Sequence, residues 1–101
     1  MISISSRGTG IKNISIWLGP NKKYKQNIIK VSNIPNNYSG KDCFALTIPD
    51  FKIIGNVNKE LITPEVLENI KKFVNLNYDN IISYYKDEIY PDHLITILKK
   101  I

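Results

Sequence analysis

Arginine and histidine appear once each in this 101-residue chain, at Arg7 and His93, and so does cysteine, at Cys43. One cysteine cannot close an internal disulfide and fits a reducing compartment. One arginine argues against a dedicated DNA reader, because lysine does not reproduce the bidentate contacts that guanidinium makes to phosphate and guanine. One histidine with no paired nucleophile argues against Ser/His or Cys/His catalysis. No run approaches about 18 consecutive apolar residues, so no membrane span is expected. The opening MISISSRGTGIKN has neither a long apolar run nor a small-residue cleavage site, so no signal peptide is expected there. Acidic side chains are missing from residues 1–41 altogether; all nine lie from Asp42 onward.

What is present is ordinary globular material: 43% hydrophobic and 23% charged residues, enough for one core and one domain over residues 1–101. Nineteen Ile, thirteen Lys and twelve Asn carry the skew of AT-rich codons, which accounts for part of the lysine excess. The acid-free segment holds Arg7, Lys12, Lys22, Lys23, Lys25, Lys30 and Lys41, so the net charge of +5 is concentrated in the N-terminal part. Such a segment either steers an anionic partner or acts as a solvated face that maintains solubility.

Hydrophobic periodicity divides the chain into a β-rich part, 1–56, and a helical part, 63–101. Ile2 and Ile4 alternate with Ser3 and Ser5, and Ser6-Arg-Gly-Thr-Gly10 reads as a turn. In Asn13-Ile-Ser-Ile-Trp-Leu18, Ile14, Ile16 and Leu18 share one face and Trp17 takes the other. Asn27–Ser32, Cys43–Ile48 and Phe51–Ile54 complete a set of five short strands. Their short connections imply an antiparallel sheet, since parallel neighbours need crossovers of about a dozen residues. Thr63-Pro64-Glu65 is a helix start, with an N-cap, proline at the first helical position and an acid in the first turn. Val66, Ile70, Phe73, Asn77, Ile81 and Tyr84 follow at intervals of four and three, predicting a helix over about 64–86 with a bend near Asn75–Asn77. Glu68 and Lys72 form an i,i+4 pair on its exposed side. A short helix from Pro91 carries Leu94, Ile97, Leu98 and Ile101. The expected architecture is α+β: an N-terminal antiparallel sheet of four to five short strands covered by a long and a short C-terminal helix.

Three constellations bear on chemistry. Asp87, Glu88, Asp92 and His93 lie within DEIYPDH and would form a metal or acid–base site only if they converged across the helix break; a solvated helix end is the simpler reading. Tyr78, Tyr84, Tyr85 and Tyr90 either stack single-stranded bases or line the edge of the core. Trp17, aimed from the outer face with Arg7, Lys12, Lys22, Lys23 and Lys25 nearby in sequence, is a candidate interface anchor. Cys43 reads as a small core residue. Asn77 interrupts the apolar stripe, either as a register-setting polar residue between two copies of the chain or as a side chain bonded to a loop carbonyl.

The stretch Phe44-Ala-Leu-Thr-Ile-Pro-Asp-Phe-Lys-Ile-Ile-Gly55, with Val66-Leu-Glu-Asn-Ile-Lys-Lys-Phe-Val-Asn-Leu-Asn77, Ile81-Ile-Ser-Tyr-Tyr85 and a closing Leu98-Lys-Lys-Ile101, resembles the tail of a family of small bacterial proteins of unknown function. Their genes often lie in pairs resembling toxin–antitoxin loci. The resemblance spans residues 44–101. Some members of that family carry a Pro-rich His-x-His segment on the sheet; this chain has none, so the resemblance transfers no metal, nuclease or catalytic residue. It implies a small cytoplasmic, non-catalytic protein-binding module without cofactor or metal, belonging to a toxin–antitoxin-like or defence-related pair. The basic N-terminal part keeps a second reading open, binding to nucleic acid.

Overall fold

The computed structural model of the protein describes residues 2–19, 26–35 and 41–101. Eight elements follow one another: β1 (Ile2–Ile4), α1 (Ser6–Thr9), β2 (Ile16–Leu18), β3 (Ile28–Ser32), β4 (Cys43–Thr47), β5 (Ile53–Ile54), α2 (Pro64–Tyr85) and α3 (Pro91–Ile97). The five strands form one sheet in the order β1-β2-β3-β4-β5, every neighbouring pair antiparallel. The expected α+β architecture, sheet first and long and short helices after, is the one observed.

Alternation sorts the strand residues. Ile4, Ile16, Leu18, Ile29, Val31, Phe44 and Leu46 face inward and join one core with Ile70, Phe73, Val74 and Ile81 of α2 and Leu94 of α3. Each fully buried aliphatic or phenyl side chain of this layer contributes about 1.5–3 kcal/mol relative to exposure. The helix forms where the capping chemistry says: the Thr63 hydroxyl accepts from the Val66 N–H (3.2 Å), and Pro64 stands at N1. It runs unbroken through Asn75–Asn77. It stops at Asp87, whose left-handed backbone (φ +59°) lets the Glu88 N–H return to the Ser83 carbonyl (2.8 Å). On its exposed side Glu68 pairs with Lys71 (3.4 Å), three residues on, in place of the expected Lys72.

Left-handed backbone also trims two strands relative to the periodicity. Asn13 (φ +66°) delays the start of β2, and Phe51 (φ +58°) belongs to the turn before β5. That turn is built on Thr47. Its hydroxyl donates to Asp50 (2.7 Å) and accepts from the Lys52 N–H (2.8 Å), while its backbone accepts from Phe51 and donates to Lys52. The hydrogen bond from Thr47 holds the Asp50 carboxyl below the usual carboxylate range. The Arg7-Gly-Thr-Gly10 segment, expected as a turn, is the single-turn helix α1, ended by Gly10 at φ +79°.

Asn77 is 1% exposed and its surroundings decide between the two sequence readings. Its Nδ2 donates to the Phe73 carbonyl (2.9 Å) and to the Lys99 carbonyl (2.8 Å), and its Oδ1 accepts from the Lys99 N–H (2.7 Å). One amide therefore holds both backbone groups of Lys99, and the stripe is interrupted in order to anchor the chain after α3. Two residues on, the Ile101 N–H donates to the Thr9 carbonyl (3.0 Å), tying that segment to α1.

Two outcomes follow from this packing. Replacing Asn77 by Leu leaves the Lys99 peptide groups without partners and should cost about 2–4 kcal/mol in denaturant unfolding, with loss of exchange protection at the Lys99 and Ile101 amides. Tyr85, buried with its hydroxyl donating to the Ile28 carbonyl (2.6 Å), has its pKa pushed up to about 12 by burial. The unfolded phenol ionises near 10, so between about pH 10 and 12 the unfolded state holds fewer protons than the folded state and stability falls as pH rises. This loss should amount to roughly 2–3 kcal/mol and should be absent from Tyr85→Phe, as read from pH-dependent urea melts of the two proteins.

Candidate functional site

The outer face of the sheet corrects the expectation placed on Trp17. The residue does lie opposite Ile16 and Leu18, in register with Ser3 and Lys30, but it is 9% exposed. Ile28 and Ala45 on the same face are buried as well, and Lys30 is half-buried. Alternation places a side chain on a face without saying whether that position meets water, and at Trp17 it does not. Trp17 is thus no free-standing anchor. Lys22, Lys23 and Lys25 lie outside the described residues. Arg7 and Lys12 are exposed, and they border one open pocket together with Lys100. Cys43, expected in the core, is half-buried on the outer face; its thiol donates to the Lys41 carbonyl (3.7 Å), and desolvation pushes its pKa up against the opposing pull of Lys30.

The remaining chemistry-bearing residues do not assemble. Among the described residues no group of three or more His, Cys, Asp and Glu side chains is placed to hold a metal ion. Asp87 is accounted for by the helix stop, and Asp92 and His93 lie exposed in the first turn of α3. Tyr84 and Tyr85 are core residues, while Tyr90, at the start of α3, is 81% exposed. The four tyrosines form no continuous stacking platform. Among the described residues no helix is long and apolar enough to cross a membrane.

A groove of about 620 Å³ opens between β5 and the start of α2. Ile53, Val57, Ile62, Pro64 and Leu67 give it apolar walls, and Lys59 stands among them as the one cationic side chain. It lies at the edge of the sheet: among the described residues no strand pairs beyond β5 to fill the space beside the first turns of α2. Ile53 points to that inner side, paired with Leu46, yet is 47% exposed. The adjacent Ile54 is exposed on the outer side. The Thr47 N–H bonds the Lys52 carbonyl (2.9 Å), so in an antiparallel ladder the next residue, Ile53, turns its own N–H and C=O away from β4 and toward the open edge.

The lip of the groove is held by Asn33, the residue after β3, which no motif or periodicity in the sequence singles out. Its Nδ2 donates to the Asn56 carbonyl (2.8 Å), its Oδ1 accepts from the Asn58 N–H (2.9 Å), and its carbonyl accepts from the Asn58 side chain (3.1 Å). Gly55 (φ +106°) makes the turn out of β5 that this clamp requires. The Asn58 carbonyl then accepts from Ile62 (2.8 Å), which leads into the cap of α2. An Asn at the end of a strand carries no signal of a partner 25 residues away.

The sequence matches no family model, no curated protein and no solved structure.

Asn33→Ala should release the lip. The expected outcome is a loss of about 2–3 kcal/mol in stability and of hydrogen-exchange protection at the Asn58 amide, with protection in β2 and β3 retained.

Proposed function

We propose that this chain is a non-catalytic protein-binding module, and that its docking site is the groove beside β5. The observation that supports this reading is an open sheet edge, with an outward-turned peptide pair at Ile53, running alongside an apolar groove that the described residues leave unfilled. An extended segment of a partner protein satisfies both at once: its backbone pairs with Ile53 and its apolar side chains enter the groove. The partner's segment carries an acidic side chain beside its apolar anchors, complementing Lys59. The resemblance over residues 44–101 supports a cytoplasmic setting in a toxin–antitoxin-like or defence-related pair, in which each protein's partner is another protein.

Lysine on an edge strand opposes further strand pairing. The double variant Ile53→Lys/Ile54→Lys should bind the partner at least about tenfold more weakly, a loss of about 1.4 kcal/mol or more by calorimetry. Its melting temperature should stay within a few degrees of the parent, because both side chains are already exposed. In the complex, the Ile53 amide should gain exchange protection. Full affinity in the double variant would remove this groove as the docking site.

A further inference from the structure

A second surface is assembled at the other edge of the sheet, roughly 19 Å away by strand spacing. An open pocket of about 420 Å³ is lined by Ser6, Arg7, Gly10, Lys12, Lys100 and Ile101. Its three cations come from three parts of the chain: α1, the loop that follows it, and the segment after α3. None of the three is in an ion pair among the described residues, and no acidic side chain lines the pocket. The Ile101 main-chain carboxylate is in an ion pair with none of the three, so among the described residues three exposed cations share the pocket with a single unpaired anionic group, and a further anion would relieve the remaining excess of positive charge.

The pocket is also held in place. Lys100 lies between two anchored residues, Lys99 on the buried Asn77 amide and Ile101 on the Thr9 carbonyl. Gly10 permits the close approach: a Cβ there would run into the Ile101 carbonyl, and its backbone already occupies the left-handed region that favours glycine. Thr9 is itself tied down, its hydroxyl accepting from the Ile11 N–H (3.1 Å). A buried asparagine and a glycine at positive φ therefore bring Lys100 beside Arg7 and Lys12, a proximity that 88 residues of separation between Lys12 and Lys100 would not suggest.

We propose that this pocket binds phosphate oxyanions presented along a nucleic-acid backbone. Arg7 offers the forked donor geometry that oxyanions accept, and Lys12 and Lys100 add two point charges. The pocket is open and contains no aromatic side chain and no amide to read a base edge, so the contact is to the backbone and independent of sequence. The site does not depend on the β5 groove, and the two can fail or succeed separately.

The test is titration of the full chain with a labelled mixed-sequence DNA duplex across a salt series. Three neutralised phosphates give a slope of log K against log salt near −2.7, or roughly a 40-fold loss of affinity between 50 and 200 mM salt. Lys12→Ala/Lys100→Ala should flatten that slope by about 1.8, whereas Lys72→Ala/Lys86→Ala, the same charge change on distant exposed positions of α2 and its end, should leave it within about 0.5. Gly10→Ala keeps every charge but displaces Lys100, and should weaken binding in step with Lys100→Ala if it folds; melting curves of all variants identify any that do not. The proposal is overturned by an unchanged slope in the Lys12/Lys100 variant, by an equal loss in the Lys72/Lys86 control, or by absence of duplex binding at low salt. Binding of inorganic pyrophosphate without the duplex would assign the pocket to a free phosphate instead. Equal binding of polyglutamate would reduce it to a general anion site, and either result overturns the nucleic-acid source.

Discussion

One apolar sheet face laid under one long amphipathic helix is the constraint from which the remaining features follow. The strands are two to five residues long, and none could persist without burying its inward side chains against a neighbouring layer. A 22-residue helix supplies that layer through Ile70, Phe73, Val74, Ile81, Tyr84 and Tyr85. The sheet ends at β5, and the start of α2, with Thr63, Pro64 and Leu67, stands over the space beyond that strand. The groove beside Ile53 is that space.

The polar residues inside the molecule work as fasteners between segments that periodicity would leave independent. Asn77 holds Lys99, Asn33 holds Asn56 and Asn58, Tyr85 reaches Ile28, and Thr47 organises the turn into β5. No buried side-chain nitrogen or oxygen among the described residues lacks a partner. Full satisfaction matters because an unpaired buried polar atom costs about 1–3 kcal/mol, a sizeable part of the stability of a domain this small. Three of these fasteners also bear on a surface: Asn33 and Thr47 shape the groove at the β5 edge, and Asn77 delivers Lys100 to the pocket at the β1 edge.

The two surfaces differ in physical character, and that difference separates their expected partners. At the β5 edge the walls are apolar and one backbone pair is unsatisfied by the sheet, which suits an extended protein segment. At the β1 edge the pocket is cationic, shallow and without aromatic groups, which suits an anionic backbone. Trp17, the residue that sequence alone made most conspicuous, lines neither, and its side chain is buried.

Strand alternation, the Thr63-Pro64 helix start and the spacing of Ile70, Phe73 and Ile81 were legible in the sequence because they are local: a period of two or of 3.6 and a cap are each written within a few residues. They sufficed for the α+β class, the order of the five strands and the two C-terminal helices, and the inward set Ile14, Ile16 and Leu18. The meaning of Asn77 was legible only as two alternatives, since its partner Lys99 lies 22 residues away and offers backbone, which every residue has. Arg7 and Lys12 were legible as cations, but their company with Lys100 was not. The groove had no sequence signature at all, because it arises from where a sheet stops relative to a helix. Periodicity determined which side chains point together; only tertiary packing decided which faces meet water, because burial depends on what the rest of the chain lays over them.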